Sequence, residues 1–107
     1  MKHKVCRKQP NSKMCLVCGL KNPFGLLTAF YELENGELAA LFTAREEHQG
    51  YPGRLHGGIA TALLDETIGR AIMIRYRDNV WGVTAEISTR FLRPIPLDVN
   101  CAWSDGL

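Results

Sequence analysis

Long apolar runs are missing from this chain. No stretch approaches the roughly 18 consecutive apolar residues that a membrane-spanning helix needs, and the charged opening Met1-Lys2-His3-Lys4-Val5-Cys6 is followed by no apolar signal core. An excess of one charge is missing too. Thirteen Lys and Arg against eleven Asp and Glu leave a formal net charge of +2, with the basic residues spread out, too little to argue for a nucleic-acid partner. Histidine is scarce, no two histidines stand at metal-ligand spacing, and no G-x-S-x-G elbow offers a serine nucleophile. A cytoplasmic location is therefore expected. Four cysteines in an unsecreted chain argue against a disulfide framework. What is present, 107 residues with 46% hydrophobic content, suits one globular domain over residues 1–107.

Residues 1–23 are polar, hold Pro10, Asn11, Ser12, Asn22 and Pro23, and read as a loop or short-helix lead-in. Leu26 to Leu33 and Leu38 to Ala44 are apolar runs on either side of Glu34-Asn35-Gly36-Glu37. Asn-Gly there predicts a hairpin in which both turn residues take positive φ. Residues 45–55, with Gly50, Pro52 and Gly53, read as a loop. A helix is expected from about Gly58 to Arg75, broken at Asp78-Asn79. From Trp81 the chain alternates: Trp81, Val83, Ala85, Ile87 and Phe91 on one face, Thr84, Glu86, Ser88 and Arg90 on the other. That pattern predicts a half-buried strand ended by Pro94 and Pro96. Leu97, Val99, Cys101 and Trp103 predict a fourth strand. Ser104-Asp105-Gly106-Leu107 reads as the opening of a further hairpin turn without a partner strand. It is either a frayed tail or the break point of a longer domain, and the second reading is favoured.

The segment Leu55-His56-Gly57-Gly58-Ile59-Ala60-Thr61-Ala62-Leu63-Leu64-Asp65-Glu66 carries the chemistry. A glycine pair at a helix start leaves backbone amides uncovered by side chains, at the positive end of the helix dipole, which suits a developing oxyanion. An acid further along can act as nucleophile or general base. On a helical wheel Gly58, Ala62, Asp65 and Gly69 share one stripe of mostly small residues. Leu64, Ile68, Ala71 and Ile72 lie beside it and are expected to pack on the sheet. Glu66 and Arg70 stand at a favourable i, i+4 spacing and read as a solvated surface pair. Gly57 and Asp65 are eight residues, or roughly 12 Å, apart along a helix. One reacting carbonyl needs donor and attacking group each about 3 Å away, so the glycine of one subunit would meet the aspartate of another across a twofold axis.

Cys15 and Cys18 form C-x-x-C, and with His3 and Cys6 the pattern H-x2-C-x8-C-x2-C can be written. The reading preferred here is that these cysteines are small apolar residues in a lead-in that packs on the helix. No metal or other cofactor is expected. Zinc and a redox pair are the alternatives. Tyr51, Tyr76, Trp81 and Phe91 read as core or pocket wall, and His56 as a loop-setting residue.

At this point the residues resemble a known family. His56-Gly57-Gly58 with an acid at the ninth position after the histidine resembles the hotdog-fold acyl-CoA thioesterases, and the nearest branch is that of the phenylacetate-pathway thioesterase. Cys18-Gly19-Leu20-Lys21-Asn22-Pro23-Phe24-Gly25-Leu26 is similar to an entry segment of that family. His48-Gln49-Gly50-Tyr51-Pro52-Gly53 is similar to the loop before its glycine pair, and Gly82-Val83-Thr84 through Phe91-Leu92-Arg93-Pro94 to the strand after its helix. The resemblance runs from about residue 15 to the end.

It implies an α+β fold, an antiparallel sheet of five or six strands wrapped around one long central helix, of which this chain supplies about four strands. It implies Asp65 as the catalytic acid, the Gly57 N–H as oxyanion donor, His56 beside the thioester and Thr84 as a contributor from the subunit that supplies the acid. Gly58 completes the amide pair facing substrate, and Arg90 or Arg93 would meet CoA phosphates. Relatives often carry Asn or Gln in the preceding loop. Gly50 stands at the Asn position here, with Gln49 beside it to take that role. The implied activity is hydrolysis of an acyl-CoA to acid and CoA by a homodimer or a dimer of dimers, with no nucleic-acid or membrane partner. A non-hydrolysing acyl-CoA-binding module of the same fold is the alternative, and a small zinc-bearing interaction domain a third.

Overall fold

The computed structural model describes residues 4–76, 82–97 and 100–106, with the backbone alone for Arg75 and 100–106. Four strands form one antiparallel sheet in the order β1-β2-β3-β4: β1 (Val5–Lys8), β2 (Ala29–Leu33), β3 (Glu37–Thr43) and β4 (Asn100–Gly106). A 3-10 turn (Glu46–His48) leads to a twenty-residue helix, α1 (Gly57–Tyr76), which lies across the sheet. Among the described residues no helix is long and apolar enough to cross a membrane.

The β2–β3 hairpin forms where Asn35-Gly36 predicts it, in register Glu32↔Leu38 and Phe30↔Ala40. The turn is of a different kind, because Gly36 takes φ +87° while Asn35 keeps a negative φ. A three-residue loop, Glu34 to Gly36, therefore connects the strands, and glycine supplies its one left-handed position. Asn35 Oδ1 accepts the Glu37 N–H at 3.1 Å, which tightens the turn.

Alternation along β3 turns Leu38, Ala40 and Phe42 to the helix. They pack with Phe30 of β2 and with Ala60 and Leu63 of α1, while Val17, Cys18 and Leu26 close one side. Phe30, Leu38 and Leu63 are fully buried, each worth about 1.5–3 kcal/mol against exposure. Ala, Leu, Glu, Met and Arg supply nine of the twenty residues of α1, and it starts where His56 caps it. The face it buries is Ala60, Leu63, Thr67, Arg70 and Ala71; of the expected row only Ala71 is buried, Leu64 and Ile72 are half-buried and Ile68 is exposed. Two polar side chains shift that face. Thr67 Oγ1 returns a hydrogen bond to the Leu63 carbonyl at 2.6 Å. Arg70 enters a buried polar network: Nη1 donates to the Pro10 carbonyl at 2.8 Å, its guanidinium lies 4.8 Å from the Phe30 ring centre, and Gln9 Nε2 bridges Glu32 and the Arg70 carbonyl. Glu66–Arg70 is thus an ion pair at 3.3 Å with a buried guanidinium, not a solvated surface pair.

Three further expectations change. Val5–Lys8 is a strand within the supposed lead-in, paired to β2. Asp105 and Gly106 continue β4 opposite Leu38 and Glu37 rather than opening a turn. The strand expected from Trp81 to Phe91 does not form over 82–91, which is irregular, with Val83 and Leu92 well exposed. The segment runs back along α1, away from either sheet edge. A Cβ on Gly82 would lie 3.0 Å from Ile72 Cδ1, Thr84 meets Asp65, the Phe91 ring backs on Gly57, and the Ile95 carbonyl accepts the Leu55 N–H at 2.8 Å. Without a neighbouring strand among the described residues, its alternation has no sheet to enter. The expected break at Asp78-Asn79 and the side chains of Cys101 and Trp103 lie outside the described residues.

Candidate active site

The loop before α1 is built to deliver His56 and Gly57. Gln49 Oε1 accepts the Gly53 N–H at 2.9 Å, and the Gly50 N–H donates to the Arg54 carbonyl at 3.0 Å, so residues 49–54 close on themselves. His48 is buried against Phe42, with ring centres 5.2 Å apart. Its Nδ1 accepts the Arg45 N–H at 3.0 Å, and its carbonyl accepts the His56 N–H at 2.8 Å. Burial, helped by the Arg45 charge, holds the His48 imidazole below its ordinary pKa of 6.5, against the pull of Glu47.

His56 is the N-cap of α1. Its Nδ1 accepts the Gly58 N–H at 2.8 Å, and its carbonyl accepts those of Ile59 and Ala60 at 3.0 and 3.1 Å. The leading amides of a helix lack internal acceptors, and here three of the first four have been answered by one residue. Gly57 is the exception: among the described residues nothing accepts its N–H. Because Nδ1 is an acceptor, the neutral His56 ring carries its proton on Nε2.

That amide borders a cavity of about 580 Å³ walled by Tyr51, Leu55, Ala60, Phe91 and Ile95, with Arg54 and Arg93 among its lining residues. A Cβ on Gly57 would sit 3.3 Å from the Phe91 ring, so the apolar wall reaches the helix start. Gly58 and Arg90 do not line the cavity. Neither does Gln49, whose amide oxygen is spent on the loop. Tyr51 and Phe91 line it, as expected of pocket-wall residues, and Arg54 lines it although sequence reasoning passed over it; its place in the loop just before His-Gly-Gly was the available signal.

Asp65 lies two turns further along α1, half-buried, and its Oδ1 accepts a hydrogen bond from the Thr84 hydroxyl. It too is absent from the cavity wall. The structure thus joins His56 to Gly57 and Thr84 to Asp65, and holds the two pairs roughly 12 Å apart along one helix.

A separate polar cluster could hold a metal: Cys15, Cys18 and Glu66. Burial raises the Cys15 thiol beyond what the backbone amides of Cys18 and Val17 offset. Burial opposes ionisation of Cys18 as well, but hydrogen bonds from Ser12 and the Arg70 guanidinium outweigh it and lower that thiol.

The antiparallel sheet laid on one long helix matches the architecture of a solved thioesterase superfamily protein. The fold is the hotdog fold. The model of the thioesterase superfamily matches residues 52–103, the stretch that contains Gly57, Asp65 and Thr84. A crystal structure of a thioesterase superfamily protein is similar at 31% identity and a TM-score of 0.73, over 84% of this chain and 43% of that one. The chain therefore spans less than half the length of that neighbour. No curated protein matches the chain.

Proposed function

We propose that this hotdog chain hydrolyses an acyl-CoA thioester to a carboxylic acid and CoA, as a homodimer or a dimer of dimers in the cytoplasm. The reading extends to the branch of the phenylacetate-pathway thioesterase, on the spacing from His56-Gly57-Gly58 to Asp65. The observation that carries the reading is the unanswered Gly57 N–H on the wall of a largely apolar cavity at a helix N-terminus. A preorganised amide of this kind stabilises the charge that grows on a thioester oxygen during attack. Asp65 of a second copy attacks the carbonyl carbon or takes a proton from the attacking water, and the Thr84 hydroxyl orients its carboxylate. Arg54 and Arg93, exposed residues that line the cavity, meet CoA phosphates in this reading. A second copy is supported by the helix length between Gly57 and Asp65, and by the uncovered apolar side chains of Val83, Phe91 and Leu92 along the segment beside Asp65.

Asp65→Asn is the direct test. In a free-thiol assay over short, long and aromatic acyl-CoAs it is expected to lower turnover by orders of magnitude, with an unchanged melting temperature. Wild-type turnover in that variant would overturn the assignment of the acid. Binding of CoA esters with no thiol released by the wild type would instead favour the acyl-CoA-binding module.

A further inference from the structure

We propose that Cys15, Cys18 and Glu66 form a binding site for one zinc ion, which fastens the turn before β2 to the middle of α1. The proposal is independent of the thioesterase reading.

The argument begins in the turn. Cys15-Leu16-Val17-Cys18-Gly19 brings two sulfurs to one side of a tight bend, closed by the Gly19 N–H on the Cys15 carbonyl at 2.8 Å. Only glycine fits after the second cysteine, since a Cβ there would sit 2.4 Å from the Cys15 carbonyl oxygen. Ser12 Oγ accepts the Cys15 N–H at 3.2 Å, and Asn11 Nδ2 donates to the Cys18 and Thr28 carbonyls at 2.8 and 3.0 Å. The bend is therefore held from both ends before any ion is considered.

Glu66 supplies the third group from α1. The three ligand atoms lie within 4.8 Å of one another. Glu66 Oε1 is 3.7 Å from Cys15 Sγ, and Oε2 is 3.8 Å from Cys18 Sγ. Around tetrahedral zinc, with Zn–S about 2.3 Å and Zn–O about 2.0 Å, sulfur and oxygen stand about 3.5 Å apart. These two sulfur–oxygen pairs need to draw together by only a few tenths of an ångström, and the widest pair of the set by up to about 1 Å, since tetrahedral zinc holds two sulfurs about 3.8 Å apart. A carboxylate turned toward two sulfurs, at distances where S–H is a weak donor, gains little from them alone.

Arg70 completes the set as an outer partner. Its Nη2 lies 2.7 Å from Cys18 Sγ and its Nε 3.3 Å from Glu66 Oε2, so it donates to one ligand of each kind. Such outer hydrogen bonds orient metal ligands and tune their basicity. Two thiolates and a carboxylate are balanced in charge by a divalent ion and one guanidinium. Thiolate ligands select zinc over magnesium or calcium. Cys15 and Glu66 are half-buried and Cys18 is buried, so the fourth coordination position falls on the solvent side.

The test starts from the reduced, chelator-treated chain, titrated with Co²⁺ and then with Zn²⁺. One equivalent of cobalt should produce a thiolate-to-cobalt charge-transfer band. Zinc should displace it, raise the melting temperature and protect Cys15 and Cys18 from alkylation as read by mass spectrometry. Cys15→Ser and Cys18→Ser should each abolish the band, whereas Cys6→Ser, on exposed β1, should leave it intact. Arg70→Lys should weaken cobalt binding by about ten- to a hundred-fold. The wild-type titration and the alkylation pattern are decisive even if a cysteine variant fails to fold. No thiolate band in the wild type, a band that survives Cys15→Ser, or zinc that leaves both thiols open to alkylation or to a Cys15–Cys18 disulfide overturns the site.

Discussion

Gly57 is the first residue of α1, and its neighbours have already spent the other leading amides on His56. That makes its N–H separable by mutation. Proline at the first helical position removes an amide that has no helical acceptor and keeps a φ suited to the helix, while the extended residue it requires before it is an N-cap. Gly57→Pro is therefore expected to retain the helix by circular dichroism and to lose about 100- to 1000-fold in turnover, the range seen on removing one oxyanion donor. Turnover within a few-fold of wild type would place the oxyanion elsewhere. The place of the glycine pair at the start of α1, and of Asp65 two turns further on, was legible in the sequence because a loop rich in Gly and Pro ends there and helix spacing is fixed. The capping role of His56 was not, since histidine lies outside the usual set of Ser, Thr, Asp and Asn. Nor was the burial of Arg70, because a Glu four residues before an Arg has the same spacing on a wet surface as beneath a helix.

At the scale of elements, the helix and the β2–β3 hairpin follow from periodicity and from Asn35-Gly36, to within one residue of the observed ends except at the start of β2, which lies three residues later than expected. Residues 82–91 show what alternation leaves out: it specifies two faces for a strand but supplies no neighbour to bond with. β1 was missed for the opposite reason, since four residues with little apolar content become a strand once β2 offers an edge. The 3-10 turn carries a prediction of its own. Neutral His48 holds the Arg45 N–H at Nδ1 and packs on Phe42. Its folded pKa lies below the 6.5 of the free side chain, so between the two values the unfolded chain binds more protons than the native one. Stability is then flat above about pH 7 and falls as pH drops through 6.5 toward the folded value. Melting temperatures measured from about pH 7.5 to about pH 5.5 should show that decline in the wild type and a smaller one in His48→Gln. Equal slopes in the two proteins would assign the pH dependence to other groups.

For the whole molecule, the proposed oxyanion donor Gly57 and the proposed acid Asp65 are roughly 12 Å apart along one helix, too far to serve a single carbonyl. Two antiparallel copies bring the donor of each to the acid of the other. A mixed dimer separates this arrangement from one contained within a protomer. Gly57→Pro and Asp65→Asn chains, co-expressed with different tags and purified as the heterodimer, leave one composite site with both groups intact and one with neither. Each mutant homodimer should be inactive, and the heterodimer should recover about half of the wild-type turnover per dimer, one site in two. In a protomer-contained site every chain of the heterodimer carries a lesion, so no activity returns. The recovered turnover therefore reports directly on whether a helix start and a mid-helix carboxylate from different chains share a thioester, the arrangement proposed from the eight-residue spacing of Gly57 and Asp65 on α1.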